Sequence, residues 1–416
     1  MRKILIIGAG QAGLQLALVL AGNGYDVTVM SDRSGEDIAG GRPTSTQCVF
    51  HPALDIERAH GLDLWPQAPQ ITGQRVTVAG PGGQALLETY GPFARPAASV
   101  DQRVKMPAWM DLLEERGGRV QVHPVLTSEL PALARRHDLT VIAAGKGELV
   151  ELFDRDDARS PYRAPQRRLA AIYLHGMAPW PADPRPHVRI TALPGVGELF
   201  YMPGLTRTGA CDIVLCEAVP GGPLDVWPAS ARTSLTPDGH LERLRELTAE
   251  WAPWEHRLLA AAEPTDARAA LYGGYPPTVR RPVAVLDGVP LLGLADTVVL
   301  NDPATGQGAN NACHAADIYA RAILERGDGP FDAGWMQATF DAYWDTYARF
   351  PTAFTNMMIG PLPEHVQQVL GVASADDGVA ARFAACYTDP PTTEEWIMDA
   401  GATGAYLASV TGQPAG

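Results

Sequence analysis

The chain has 416 residues, with 33 Lys and Arg against 47 Asp and Glu, a formal net charge of −14. That length predicts two domains rather than one core. The acidic balance, with no Lys/Arg-rich run, argues against nucleic acid and anionic membrane as partners. Five scattered cysteines (Cys48, Cys211, Cys216, Cys313 and Cys386) form no C-x-x-C pair and have no His cluster beside them, so they read as reduced thiols of a cytoplasmic protein, with no metal site.

The first residues, MRKILIIGAGQAGLQLALVLAG, have the basic start and apolar run of a signal peptide. Gly8, Gly10, Gln11 and Gly13 interrupt that run, and strand–turn–helix explains it better. Ile4–Ile7 suits a buried parallel strand. Gly8, Gly10 and Gly13 spell G-x-G-x-x-G, Leu14–Ala21 is helical, and Val27–Met30 is a second strand ending at Asp32 and Arg33. This is the context a dinucleotide-binding turn requires. Gly8 permits the turn, Gly10 lets the backbone of Gln11 and Ala12 approach a pyrophosphate, and Gly13 lets the helix pack closely. The helix N-terminus favours the phosphates, and Asp32 is placed for a ribose.

Further on, Asp138–Gly147 reads as another buried strand running into a glycine turn, with Gly145 beside the nucleotide. The middle of the chain offers alternating strands in RLAAIYLHG, HVRITAL, GELFYMPG and CDIVLCEAV, which suit an antiparallel sheet covering a pocket. Tyr173, Phe200, Tyr201 and Met202 are its candidate lining. His240–Ala262 predicts one amphipathic helix on that sheet. Leu291–Leu294 is strand-like and leads to Asp296. Then come Asp302, Pro303, Gly306, Gly308, Ala309 and Asn310, opening a helix over Asn310–Leu324. Asp296 suits ribityl hydroxyls. The helix after Gly306 would aim its N–H groups at the O2/N1 edge of a reduced flavin, which is anionic. From Pro330 onward the chain reads as further helices, over the substrate side or at a homodimer contact.

Together these stretches resemble the FAD pattern of para-hydroxybenzoate-hydroxylase-like monooxygenases. The resemblance implies an α/β fold: a discontinuous Rossmann-like FAD domain (1–60, 93–160 and 275–330), an inserted antiparallel-sheet substrate domain (61–92 and 161–274) and a C-terminal helical region (331–416). The Asp-Gly motif that such hydroxylases carry after the middle flavin strand is missing from AAGKGELVELF. Asp287-Gly288 falls instead in a turn that reads as a hairpin. The protein is therefore expected not to reduce its own flavin.

More specifically, GGRPTSTQ, LDLWP, SVDQR, AAGKG, PGVGELFYMP and DPATGQGAN resemble the oxygenase component of two-component styrene and indole monooxygenases. The resemblance implies FAD as cofactor, reduced FAD delivered as co-substrate by a separate NADH-dependent flavin reductase, and a C4a-hydroperoxyflavin formed with O2. That oxidant would epoxidise an aromatic alkene or indole, so no side chain need be catalytic. Arg42 and Arg103 would approach the FAD. Ser45, Gln47, Ile71 and Ala97 would line an indole-type pocket. Val49, also in that set, and Gln74 match neither the styrene nor the indole type. The rivals are an S- or N-oxygenase using the same oxidant and a non-catalytic FAD or NAD binder. Halogenation is disfavoured, because EWAPWEH lacks the Trp-x-Trp-x-Ile-Pro box.

Overall fold

The computed structural model describes residues 1–227 and 235–412. It opens with strand β1 (Lys3–Ile7), helix α1 (Gln11–Gly22) and strand β2 (Asp26–Ser31). Ile4 to Ile7 are buried, as a central parallel strand covered on both faces requires. α1 starts three residues before the predicted helix, because Gln11, Ala12 and Gly13 form its first turn.

Next come α2 (His51–Ala59), β3 (Ile71–Ala79), β4 (Ala85–Ala97), α3 (Gln102–Glu115), β5 (Arg119–Val122) and β6 (Leu139–Ile142). β7 (Arg168–His175), β8 (Val188–Leu193), β9 (Gly197–Thr206), β10 (Gly209–Ala218) and α4 (Pro237–Trp251) follow. β11 (Val283–Leu286) and β12 (Val289–Gly293) form a hairpin. Its turn, Asp287-Gly288, has φ of 47° and 77°, the left-handed pair that a two-residue type I′ turn demands. Asp287-Gly288 is thus a hairpin turn, as the sequence predicts.

The first sheet has the order β11-β12-β6-β1-β2-β5, and every pairing except the hairpin is parallel. β1 has β2 on one side and β6 on the other. The loop after β1 therefore opens at a switch point, where doubly wound sheets bind ligands.

The second sheet runs β7-β10-β9-β8-β3-β4, with the short strands Glu263–Pro264 and Ala270–Gly273 also pairing with β7. It is not wholly antiparallel: β3 and β8 pair parallel, with Gln74 opposite Val188. β3 reaches the sheet on a separate excursion of the chain, and such a crossover allows a parallel neighbour where a hairpin would not. β4 runs unbroken from Ala85 to Ala97, through the expected boundary at 92/93. The helix predicted over His240–Ala262 is two helices, because α4 stops at Trp251 and Pro253 starts Pro253–Leu258. Proline cannot continue the helix hydrogen bonds across that point.

Helices α5 (Gly308–Arg326), α6 (Ala333–Tyr343), α7 (Arg349–Ile359), α8 (Glu364–Ala373), α9 (Asp377–Thr388) and α10 (Ala400–Thr411) complete the chain. One buried cluster fills the space around the first sheet, with α1 and α5 side by side. Another lies between the second sheet and helices α7 to α10. α9 approaches β4 so closely that a Cβ on Gly91 would stand 2.3 Å from the Ala380 carbonyl oxygen. The opposite face of that sheet is covered by α4. Among the described residues no helix is long and apolar enough to cross a membrane.

Candidate active site

The three glycines after β1 divide their work. Gly8 has φ of +120°, and a Cβ there would stand 2.3 Å from the Ala143 carbonyl oxygen at the end of β6. A Cβ on Gly13 would stand 2.1 Å from the Gly8 carbonyl oxygen. A Cβ on Gly10 would meet nothing within 4 Å. Gly8 and Gly13 therefore serve the packing, while Gly10 faces open space at the start of α1. No side chain caps α1, and its first helical bond is from Leu14 N to Gly10 O at 3.0 Å. The N–H groups of Gln11, Ala12 and Gly13 are left for a ligand. The side chain of Gln11 is not: it donates to Glu57 at 2.8 Å, inside a buried cluster with Lys105.

Asp32 stands exposed at the end of β2, 3.6 Å from Arg33, and suits a ribose. Gly145 lies against Asp296, since a Cβ on it would be 3.8 Å from the Asp296 Cβ. Asp296 is half-buried, and burial pushes its carboxyl up to about 6. It follows Ala295, whose φ of 51° is unusual for a residue with a Cβ. Backbone held in such a region marks a constrained turn.

Asp302 caps the turn Pro303–Thr305 by accepting from Ala304 N at 3.2 Å. Gly306 then takes φ of 67°, and α5 begins at Gly308. No side chain caps α5 either, and a Cβ on the exposed Gly308 would meet nothing within 4 Å. The Gly308 and Ala309 N–H groups form a second open helix N-terminus. α5 and α1 are joined through Gln15, which donates to the Cys313 carbonyl at 3.0 Å. The Asn310 side chain is committed elsewhere. It accepts from Phe50 N at 2.9 Å and donates to the carbonyls of Cys48 at 2.8 Å and Gly306 at 2.9 Å.

The two arginines expected near FAD sit in different settings. Arg42 is exposed on the segment leading to the pocket wall. Arg103 is buried and engaged. It pairs with Asp101 at 2.8 Å and Asp266 at 2.9 Å, and donates to Thr206 at 3.3 Å. A guanidinium enclosed by two carboxylates has no donors to offer a phosphate, so Arg103 ties the start of α3 to the second sheet instead.

An apolar cavity of about 440 Å³, counted out to its mouth, lies between the second sheet and the 303–306 turn. Val188, Ile190, Phe200, Met202 and Leu215 line it from the sheet. Pro303 to Gly306 close one side, and Tyr387 from α9 closes another. Thr46, Cys48 and Phe50 form the wall between, and Gln74 adds an amide. Ser45, Gln47 and Val49 do not line it. The segment is extended, so alternate residues point to opposite sides. Ser45 donates to Gln47 at 2.8 Å, Gln47 donates to the Val100 carbonyl, and Val49 packs in the first sheet's core. Ile71 and Ala97 are cross-strand partners, both fully buried in the second core. Tyr173 is also core, its hydroxyl donating to the Ser45 carbonyl at 2.8 Å. Tyr201 packs on the sheet's other face.

None of the lining groups is a ready acid, base or nucleophile. Burial pushes the Cys48 thiol up to about 12 and holds the Tyr387 hydroxyl above its usual range. A neutral buried thiol is inert. The cavity can therefore orient and desolvate a substrate, and the chemistry must come from something bound at its edge.

A doubly wound sheet with two open helix N-termini, beside an apolar cavity without reactive side chains, fits a dinucleotide-dependent enzyme whose cofactor carries the chemistry. A family model described as "Styrene monooxygenase A putative substrate binding domain" matches residues 145–257, the span of β7 to β10 and α4. Styrene monooxygenase StyA of Pseudomonas fluorescens is 33% identical over 330 residues, covering 78% of this chain and 77% of that protein. StyA of a Pseudomonas sp shows the same identity and coverage. The chain belongs to this styrene monooxygenase StyA family. Solved structures share the fold: a flavoprotein/dehydrogenase from Cytophaga hutchinsonii has a TM-score of 0.66 at 13% identity, covering 98% of this chain and 100% of that one. Flavin-dependent brominase Bmp2 has a TM-score of 0.61 at 16% identity, covering 99% and 98%. A variant of halogenase PltM in complex with FAD has a TM-score of 0.65 at 12% identity, covering 100% and 93%.

Proposed function

We propose that this chain is the oxygenase of a two-component system, taking reduced FAD from a separate NADH-dependent flavin reductase and using O2 to epoxidise an aromatic alkene or indole. The observation that carries the reading is the apolar cavity that ends on the Pro303–Gly306 turn and holds no reactive side chain. Bound reduced flavin would supply the electrons that turn O2 into an electrophilic oxygen. The N–H groups of Gln11, Ala12 and Gly13 would hold the pyrophosphate, with Gly10 leaving room for it. Asp32 would accept from the ribose and Asp296 from the ribityl chain. Gly308 and Ala309 would present N–H groups to the anionic edge of the ring. Phe50, Ile190, Phe200 and Met202 would keep water away and press a flat apolar substrate towards the turn.

The missing Asp-Gly motif after β6 supports a separate reductase. Gln74, which matches neither family type, still gives the cavity a polar group that suits an indole N–H. Gln74 lines the cavity, its buried amide Nε2 has no hydrogen-bond partner among the described residues, and its side chain also meets Tyr387. A tyrosine hydroxyl both donates and accepts, so the amide can turn and present its oxygen to an indole N–H.

The test is turnover of indole, styrene and a thioether by purified protein with FAD, NADH, O2 and a flavin reductase. Indole or styrene oxidation that needs the reductase is expected. Thioether oxidation alone would replace the epoxidase reading, and rapid NADH oxidation by the protein without reductase would overturn the two-component one.

A further inference from the structure

Behind the cavity, two acids meet without a cation between them. Glu217, two residues after the cavity-lining Leu215 on β10, is fully buried. Among the described residues no donor reaches either of its carboxyl oxygens. Its side chain faces that of Asp302, itself 2% exposed and already capping the 303–305 turn. Two carboxylates present only acceptors to each other, so they can bond only when one carries a proton. The surroundings enforce this. Glu198 is the cross-strand partner of Glu217 on β9. The nearby cation, Arg167, is held by Glu198 at 2.6 and 2.8 Å and by the carbonyls of Gln166 and Ile359. Tyr275 and Tyr387 also face the acids and stay neutral, and Cys216 is a buried thiol. Two buried carboxyls, with the one nearby guanidinium already paired to Glu198, cannot both be ionised.

Resting on the flavin reading of the 303–308 turn, we infer that Glu217 is a positioning residue: as a neutral acid it donates a hydrogen bond to the Asp302 carboxylate and so holds the Pro303–Gly306 turn against the substrate sheet, in the pose that receives the flavin ring. Burial and the Asp302 charge keep the proton on Glu217, and burial pushes Asp302 up to about 6. Loss of the shared proton turns the bond into repulsion between two buried anions. The turn then separates from β10 and the flavin seat is lost.

Glu217→Gln tests this, because an amide donates to Asp302 at every pH. FAD affinity would be titrated on wild type and E217Q between about pH 6 and pH 9, a window set by the raised carboxyls. Wild type and E217Q are expected to bind FAD alike at the acidic end, and wild type to bind about tenfold more weakly than E217Q at the alkaline end. Asp296 titrates in both proteins, so only the difference between them reports Glu217. A ratio of the two affinities that stays constant across the window overturns the inference. Infrared spectra of the apoprotein give a second readout: a protonated-carboxyl C=O band at neutral pH, absent in E217Q. A missing band in wild type that binds FAD normally overturns the positioning role alone. Failure of wild type to bind FAD at any pH overturns the cofactor reading and the role with it.

Discussion

Asn310 and Phe50 lie 260 positions apart in the chain and are joined by a 2.9 Å hydrogen bond from the Phe50 N–H to the Asn310 side-chain oxygen. The same amide donates to Cys48 O, so one side chain fixes two cavity-wall residues to the helix that follows the Pro303–Gly306 turn. Asn310→Leu would strand a buried N–H and two carbonyls and would cost about 3 kcal/mol. The wall would loosen with it. A thermal melt and the indole-to-styrene turnover ratio check both effects, and an unchanged melt would show that the tie is not stabilising.

The glycine turn separates packing from binding. Gly13→Ala would drive a methyl into the Gly8 carbonyl at 2.1 Å, where only backbone can yield. It should lose about 3 kcal/mol or fail to fold. Gly10→Ala meets open space, so its melt should stay within about 1 kcal/mol of wild type while FAD affinity drops at least about tenfold. If G10A bound FAD normally, the pyrophosphate would lie elsewhere.

Much of this was legible in the sequence. The β1–α1–β2 unit carries its fold in glycine spacing and an apolar strand, both local signals. The 302–310 turn is local too, since Pro303 and Gly306 impose the backbone themselves. The cavity wall was misread by one residue. Along 45–50 the side chains alternate, and sequence does not say which parity faces the cavity; the structure chooses Thr46, Cys48 and Phe50. Tyr387 was out of reach, because only the docking of α9 on β4 at Gly91 brings it in. The roles of Arg103 and Asn310 likewise depend on partners far away in the chain.

Arg103 should behave as structure rather than ligand. Arg103→Met would leave Asp101, 1% exposed, as a buried uncompensated charge, a loss of about 3–5 kcal/mol. Asp266, at 22% exposure, is better solvated, so Asp266→Asn should cost less than half as much. The folded fraction of R103M should bind FAD with wild-type affinity. A selective loss of FAD binding with an unchanged melt would restore the phosphate role.

Gln74 should discriminate between substrates. It brings an amide, whose Nε2 has no hydrogen-bond partner among the described residues, into an apolar wall. Gln74→Leu keeps the volume and removes the polar group. Loss of one buried hydrogen bond to indole N–H should lower kcat/KM for indole about tenfold. Styrene has no such hydrogen and should be unaffected or improved. Equal losses for both substrates would mean that Gln74 only shapes the wall.

Asp296 sets binding against stability. Burial raises its folded carboxyl from 3.8 to about 6, so the folded state prefers the protonated form. Its contribution is fully present below about pH 4 and is lost as pH rises through 6. Asp296→Asn cannot ionise, so the apo variant should exceed wild type by roughly 1–3 kcal/mol at about pH 8. The difference should shrink towards zero below about pH 4. FAD binding should move the other way, because a carboxylate accepts from ribityl hydroxyls more strongly than an amide. About a tenfold weaker affinity at that same alkaline pH is expected. Paired melts and FAD titrations across the window decide it. An apo variant less stable than wild type at alkaline pH would show that the Asp296 charge is favourably held in the empty site, and the ribityl assignment would lose its physical basis.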